Sequence, residues 1–304
     1  MGMKAFCTGS RGFVGSHLVP RLKADGVEVI EYDHRLVPED DVLNVQRLVA
    51  RMRDAAPTVV YHLAALADVR HALEQPTEQV EQNFLATANV LEAMRAADVK
   101  RIVFTSSAVI YGDTPIQPVR PIPLREADGW FPQQTSIYGA MKLASEALIE
   151  AYCVGYGMRA DIFRLVSLVG EGYRHGNLVD FYLKLTADPT TLSILGSLRQ
   201  QKYYCDVGDL MDAIRLVDAH PHEGAEIWNV SHHAPNTIQD SVDAVCACLG
   251  IQPTVVIPEG QRWAGDLPSL VLDTNKLRAL GWSPKVSIAE GMRRTVKDFI
   301  ERGL

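Results

Sequence analysis

Long apolar runs are missing from this chain of 304 residues: none approaches the ~20 residues a membrane-spanning helix needs, so no bilayer span is expected. Runs of basic charge are missing too. Lys and Arg number 30 against 37 Asp and Glu, a net charge of −7, and no zinc-finger spacing occurs, so nucleic acid is not an expected partner. A local basic pocket for a diphosphate is compatible with that acidic total. Cysteines number five, an odd count set mostly among apolar neighbours, which argues for reduced core thiols rather than a disulfide framework. Cys246-Ala-Cys248 has neither metal nor redox spacing, and His232-His233 with Asp206, Asp209 and Asp212 lacks the pattern of a metal site, so no metal is expected. Met1-Gly-Met-Lys4 leads directly into a strand-like run without a secretory pattern, and Phe6 breaks a myristoylation motif. There is no internal repeat. The expectation is a soluble cytoplasmic protein.

Present instead is an alternation of strand-like and helical runs through about residue 170. Runs near 4–8, 27–32, 58–63, 100–106 and 160–167 are almost continuously hydrophobic, as strands buried on both faces are. Between them, 76–97 carries Val80, Phe84, Ala88 and Leu91 at helical spacing, and 138–156 also reads as a helix. The pattern predicts an α/β fold, a doubly wound parallel sheet (Rossmann) with a smaller mixed α/β lobe toward the C-terminus. The loop from Gly112 to Thr135 holds Pro115, Pro118, Pro121, Pro123 and Pro132, and a loop that long beside a strand end is usually functional. Trp130 in that loop is a candidate border of a ligand pocket, whereas Trp228 and Trp282 read as packing residues and His62 as a hydrogen-bonded core histidine.

The first strand runs into Gly9-Ser-Arg-Gly12-Phe-Val-Gly15, then an amphipathic run from Ser16 to Ala24, a second strand and Asp33. Strand, glycine loop, helix, strand and acid make a dinucleotide site. Gly9 allows the tight turn, Gly12 lets backbone approach a pyrophosphate, Gly15 lets the helix sit close to the sheet, and the helix N-terminus offers N–H groups to the phosphates. Asp33 can accept both adenosine ribose hydroxyls and would repel a 2′-phosphate by about 4 kcal/mol per unit charge at roughly 4 Å and a dielectric near 20, which favours NAD over NADP. Arg11 and Arg35 are either phosphate receivers or solvated surface charge.

Further on, Tyr138 and Lys142 stand four apart, on one face of a helix. A phenol with its usual pKa near 10 is a poor base. An ammonium roughly 4 Å away would favour the phenolate by about 4 kcal/mol, about three pK units, enough for proton transfer near neutrality.

With these segments in place the chain resembles the extended short-chain dehydrogenases/reductases of the nucleotide-sugar epimerase/dehydratase family, from Met3 to about Phe299. Thr8 to His17 resembles that family's first loop, with Phe13 and Val14 at the cofactor. Asp41-Val42 resembles its adenine-contacting pair, Val60 to Ala65 the motif that passes Leu63, Ala64 and Ala65 beneath the cofactor, and Asn83 with Asn89 to Ala93 the helix that follows. Val103 to Gly112 resembles the strand carrying the catalytic hydroxyl, which falls on Ser107. Ser107, Tyr138 and Lys142 are then the catalytic residues, with Tyr138 and Lys142 also at the cofactor. Ser167 stands where the family usually has Asn, Asn177-Leu178 resembles the segment meeting the nucleotide of a UDP-sugar, and Lys202 and Arg262 fall at phosphate-contacting positions. Arg262 to Asp266 and Leu280 to Pro284 resemble the late motifs.

The resemblance implies a dinucleotide-binding domain over 1–170, with returning elements from about 205–235, and a substrate-binding lobe over 171–204 and 236–304. It implies NAD, a nucleotide-sugar substrate and a homodimer formed through the helices 76–97 and 138–156. Sugar 4,6-dehydratases of this type carry Asp-Glu after the catalytic hydroxyl. Here Ala108 and Val109 follow, and neither moves a proton. The expected reaction is therefore 4-epimerisation of a UDP-hexose or UDP-hexuronate through a transient 4-keto sugar. The same residues would serve an NAD(P)H-dependent 4-ketosugar reductase, and a decarboxylase is not excluded by them.

Overall fold

Alternation within the strands decides the architecture. In the computed structural model, which describes residues 2–68, 71–112, 123–128, 134–258 and 270–304, β1 (Lys4–Thr8) sends Ala5 and Cys7 to one apolar cluster and Phe6 to another. β2 spans Glu28–Tyr32. β3 (Val59–His62) divides likewise, Val59 and Tyr61 against Val60, and β4 (Arg101–Ser107) divides Val103 against Ile102 and Phe104. β5 (Arg159–Leu165) puts Phe163 and Leu165 on one side and Ala160 and Ile162 on the other. A strand apolar on both faces needs helices on both faces. The helices Phe13–Ala24 and Val207–Asp218 cover the first, and Val45–Ala55, Ala86–Ala96 and Ile137–Tyr156 the second.

The chain continues through β6 (Ser167–Val169), β7 (Thr191–Ser193), β8 (Gln201–Lys202), β9 (Tyr204–Asp206), β10 (Ala225–Val230), β11 (Asn236–Thr237) and β12 (Thr254–Val256). Six strands form one parallel sheet in the order β10-β5-β4-β3-β1-β2. The doubly wound parallel sheet predicted from the sequence is thus present, and β10 returns to its edge from late in the chain. The direction of winding reverses at β1, between β2 and β3, so a crevice opens beyond the carboxyl ends of β1 and β3. Three two-stranded sheets, β6-β9, β8-β11 and β7-β12, lie outside the large one. The helices Asn177–Ala187, Ile238–Leu249 and Ile288–Arg302 share a third apolar cluster that includes Leu178, Phe181, Val242, Met292 and Phe299. Among the described residues no helix is long and apolar enough to cross a membrane.

Three elements differ from the sequence reading. The first helix begins at Phe13 rather than Ser16, because Phe13-Val-Gly15 is already its first turn and Gly12 its N-cap. The run 160–167 breaks at Val166, and Ser167–Val169 pairs with β9 in another sheet. The helix predicted over 76–97 is α-helical at Pro76–Gln79, π-helical at Val80–Leu85 and α-helical again at Ala86–Ala96. From the proline-rich loop, Leu124 is tied on both sides to the chain near 272: its N–H donates to Val271 at 2.8 Å, and Asp273 N–H donates to its carbonyl at 2.8 Å.

Candidate active site

The glycine loop closes β1 onto the start of the next helix. Gly9 has φ 67° and lies so near the end of β3 that a Cβ there would sit 2.6 Å from the Ala64 nitrogen. At Gly15 a Cβ would fall 2.3 Å from the Gly9 carbonyl oxygen. Gly15 therefore serves the contact between helix and loop, rather than between helix and sheet. Around Gly12 only the Gly9 carbonyl comes near, at 3.1 Å, and Gly12 caps the helix without a side chain. Open space over a helix N-terminus fits a pyrophosphate. Ser10, 1% exposed, keeps its hydroxyl without a hydrogen-bond partner in this loop. Phe13 packs edge-on against Tyr173, ring centroids 5.7 Å apart, so its ring belongs to the packing beside the loop. Val14 packs against the first cluster.

Asp33 follows β2 and is buried. Its carboxylate accepts the Arg11 N–H at 2.8 Å and the Arg35 N–H at 2.9 Å, which fixes it at the crevice. The Arg11 guanidinium pairs with Glu31 at 3.2 Å, and Arg35 donates to the Arg11 carbonyl at 3.0 Å. Asp41 caps the Leu43 N–H at 2.8 Å and takes the Tyr32 hydroxyl on its carbonyl at 3.0 Å, while Asn89 donates to the Val42 carbonyl at 3.0 Å. The segment after β3 holds Leu63, Ala64 and Ala65. Asn83 grips its continuation, accepting the Leu66 N–H at 3.2 Å and donating to the Leu66 carbonyl at 3.1 Å and to Gln79 at 2.8 Å. The amide of Asn83, a residue expected at the cofactor, holds this loop. The sequence reading missed its partner Gln79, which donates to the Asp68 carbonyl at 3.1 Å. His62, fully buried between Thr8 (2.8 Å) and Thr87 (3.1 Å), is pushed down to about 3 by burial and stays neutral. Glycine cradle, unpartnered Ser10 hydroxyl and fixed acid together fit a dinucleotide, with Asp33 where a 2′-phosphate would meet like charge.

Ser107 ends β4, and Tyr138 and Lys142 lie on the buried face of the Ile137–Tyr156 helix, started by Ser136, which accepts the Gly139 N–H at 3.0 Å. The structure gathers all three at one place: Ser107 ends β4 near enough to the Tyr138 phenol to draw its pKa down, and Lys142 Nζ donates to the Thr105 carbonyl at 2.9 Å. Lys142 Nζ lies 5.9 Å from the centre of the Tyr138 ring and over Phe104 at 4.6 Å. Burial pushes Tyr138 up to about 12, against the hydrogen bond from Ser107, and pushes Lys142 down to about 7, against the pull of Glu146. Both groups are buried, and desolvation penalises the charged form of each.

Behind this group lies a network the sequence reading missed. Glu146, one turn beyond Lys142, takes the Ser106 hydroxyl and a two-pronged bond from Arg164, at 2.7 Å and 3.1 Å. Arg164 also donates to Tyr111 at 2.9 Å and to the Glu126 carbonyl at 2.8 Å, and Tyr111 donates to Asn229 at 2.7 Å. An acid on an otherwise buried helical face was the available signal.

Of the residues expected at the substrate, Ser167 is the exposed first residue of β6 and pairs with Tyr204, whose hydroxyl donates to Asn177 at 3.0 Å. Asn177 also donates to Ser241 at 3.3 Å. Leu178 is 0% exposed, so its side chain packs in the third cluster and only its backbone, at an uncapped helix N-terminus, is left for a ligand. Lys202 lies in β8. Arg262, the Gly265-Asp266 motif and Trp130 lie outside the described residues.

Residues 5–231 match the model of the NAD dependent epimerase/dehydratase family. The UDP-glucose 4-epimerase of Mycolicibacterium smegmatis (strain ATCC 700084 / mc(2)155) is 27% identical, over 98% of this chain and 98% of that one. A probable UDP-glucuronate 4-epimerase of Rhizobium meliloti (strain 1021) is 27% identical, over 97% and 96%. Among solved structures, the UDP-glucose 4-epimerase of Thermus thermophilus in complex with NAD superposes with a TM-score of 0.83 at 32% identity, covering 98% of this chain and 99% of that one. With a glycine cradle at the switch point of a parallel sheet and a match over residues 5–231, the chain belongs to the NAD dependent epimerase/dehydratase family.

Proposed function

We propose that the chain is a nucleotide-sugar 4-epimerase that works through a transient 4-keto sugar on a UDP-hexose or UDP-hexuronate. The observation that carries this reading is what surrounds Ser107. Ala108 and Val109 open a short 3-10 turn, Ala108–Tyr111, and offer only a methyl and an isopropyl group where dehydration would need an acid and a base. Proton transfer is left to Tyr138, which would take the proton of the sugar 4-hydroxyl, beside Ser107, once the positive charge of the nicotinamide ring set against it offsets the burial that raises the phenol. Bound NAD would supply the acceptor for the C4 hydride and its return, so that the cycle has no net redox change. Lys142 orients Tyr138 and the cofactor end of the site. Gly9, Gly12, Phe13, Val14 and Gly15 hold the dinucleotide through backbone, with Asp33 at the ribose and Asp41, Val42 and Leu63 to Ala65 along its path. Ser167, Asn177, the Leu178 backbone and Lys202 are assigned to the nucleotide sugar, the last three from the lobe of 171–204 and 236–304, and the sequence alone assigns Arg262 to the same role. Epimerases of UDP-glucose and UDP-glucuronate among the relatives support the substrate class.

The purified protein is expected to carry NAD and to interconvert UDP-glucose with UDP-galactose, or their uronates, without added cofactor. A preparation that carries no dinucleotide yet consumes NADPH with a 4-ketosugar would establish a reductase instead. We propose further that the enzyme acts in the cytoplasm as a homodimer joined through helices 76–97 and 138–156, whose outward apolar residues include Val80, Leu85 and Val154, the last 86% exposed.

A further inference from the structure

Two consecutive residues of β4 are bonded to two residues a helical turn apart, and the third residue of the strand stands by the next. The Thr105 carbonyl accepts Lys142, the Ser106 hydroxyl donates to Glu146, and Ser107 lies by Tyr138. Positions 138, 142 and 146 form one buried stripe, so strand and helix are fastened in a single register. Glu146 is 4% exposed and its carboxylate is held by Arg164, itself 1% exposed, through Nε at 3.1 Å and 3.2 Å and Nη2 at 2.7 Å. Arg164 is in turn fixed by Tyr111 and by the Glu126 carbonyl. A carboxylate with no solvent and a planar two-pronged partner has no freedom to turn away.

We propose that Glu146 is a positioning residue for the reaction: clamped by Arg164 and Ser106, it keeps the Lys142 ammonium charged and keeps the Tyr138 helix in register on β4. The inference rests on the assignment of Tyr138 and Lys142 as the proton-transfer pair. The groups facing Lys142 are few. From β3 comes His62, neutral and so without compensating charge. From β4 come the Thr105 carbonyl and the Phe104 ring, and from its own helix Tyr138 and Glu146. Glu146 is the one carboxylate among them, and its pull on Lys142 is upward, against burial. Facing Glu146 are Arg164 from β5 and Ser106 from β4, with Tyr111 and Glu126 on the far side of Arg164.

The test is a 13C NMR titration of the Lys142 ε-carbon in the NAD-loaded protein, identified by its loss in Lys142→Arg and read beside the pH profile of UDP-glucose turnover. In Glu146→Gln the Lys142 titration and the alkaline limb of kcat are expected to move down together by about one to two pH units, the pull of a carboxylate one helical turn (~6 Å) away at an effective dielectric of about 20, less the opposing charge of Arg164 behind it. Glu146→Asp is expected to restore much of the shift. If Glu146→Gln does not fold because Arg164 is left unpaired, the double variant Glu146→Met with Arg164→Met removes both charges, and the Lys142 titration should still move down, by less, because the guanidinium's repulsion goes with the carboxylate's pull. An unmoved Lys142 titration in either folded variant, with kcat lowered equally at all pH values, would overturn the proposal and leave Glu146 a packing residue. Unchanged turnover in Tyr138→Phe would instead remove the underlying assignment, whatever the titration gives.

Discussion

A phenol and an ammonium buried together each lose part of their charged form, and Tyr138 and Lys142 carry that cost. Replacing Tyr138 with Phe is expected to lower kcat by about 10²–10⁴-fold, the usual worth of a positioned base, while NAD stays bound; steady-state kinetics and the nucleotide released on denaturation read both. Lys142→Met is expected to abolish most turnover and stabilise the fold. Lys142 titrates near 10.5 unfolded and about 7 folded. Below pH 7 both states hold the proton and the folded state bears the full cost of burying it, ~5 kcal/mol from the shift. Between pH 7 and 10.5 the unfolded chain binds more protons, so the wild type gains stability as pH rises, and above 10.5 the cost is gone. The lost bond to Thr105 offsets about 1–3 kcal/mol. The Tm advantage of Lys142→Met should thus be largest below pH 7 and shrink through pH 10. A Tm below that of wild type at pH 6 would contradict this account.

Secondary-structure elements were legible where periodicity is strong and obscure where a single residue changes the count. The five early strands and the catalytic helix fall within one or two residues of where alternation and spacing put them, because a buried parallel strand cannot hide its apolar run. The π segment Val80–Leu85 was not legible. Val80, Phe84, Ala88 and Leu91 are spaced for an α-helix, and the wider turn, within which Asn83 bonds the Leu66 backbone, leaves no mark on that spacing. The glycine loop was legible as a motif but not as a set of contacts. Gly15→Ala brings a Cβ to 2.3 Å from a backbone oxygen that has no rotamer to move away. Overpacking of this kind costs roughly 1–3 kcal/mol or more. The variant is expected to lose its bound NAD on purification and to unfold at lower urea, as read by nucleotide absorbance and the denaturation midpoint.

The assembled molecule presents exposed Val80, Leu85, Val154 and Tyr156 on the runs proposed to join two copies. Singly exposed apolar residues are ordinary, but on neighbouring helices they favour burial against a partner. Light scattering at micromolar concentration is expected to give the mass of a dimer, and Leu85→Arg to move the population to monomer without changing the circular dichroism. A wild-type monomer would refute the assembly. Arg164 belongs to this scale as well. It joins β5 to the catalytic helix through Glu146, and through Tyr111 and Glu126 to the loop tied to the chain near residue 272.

Periodicity and glycine spacing were enough, in the sequence alone, to determine the parallel sheet and the dinucleotide cofactor, and the Tyr138–Lys142 interval is the pattern from which the reacting group is proposed. Each is a local pattern whose physics acts over a turn or a strand. Tertiary structure alone decided how those groups are charged. Burial depends on what the rest of the chain packs around a side chain, and here it pushes the Tyr138 phenol up and the Lys142 ammonium down. It also decided that Asn83 serves a loop, that Leu178 faces the core, and that Glu146 and Arg164 stand behind the site. Gln79 apart, the side-chain partners of Asn83, Glu146 and Arg164 lie between 17 and 53 positions away in the chain, and only the fold brings them within reach.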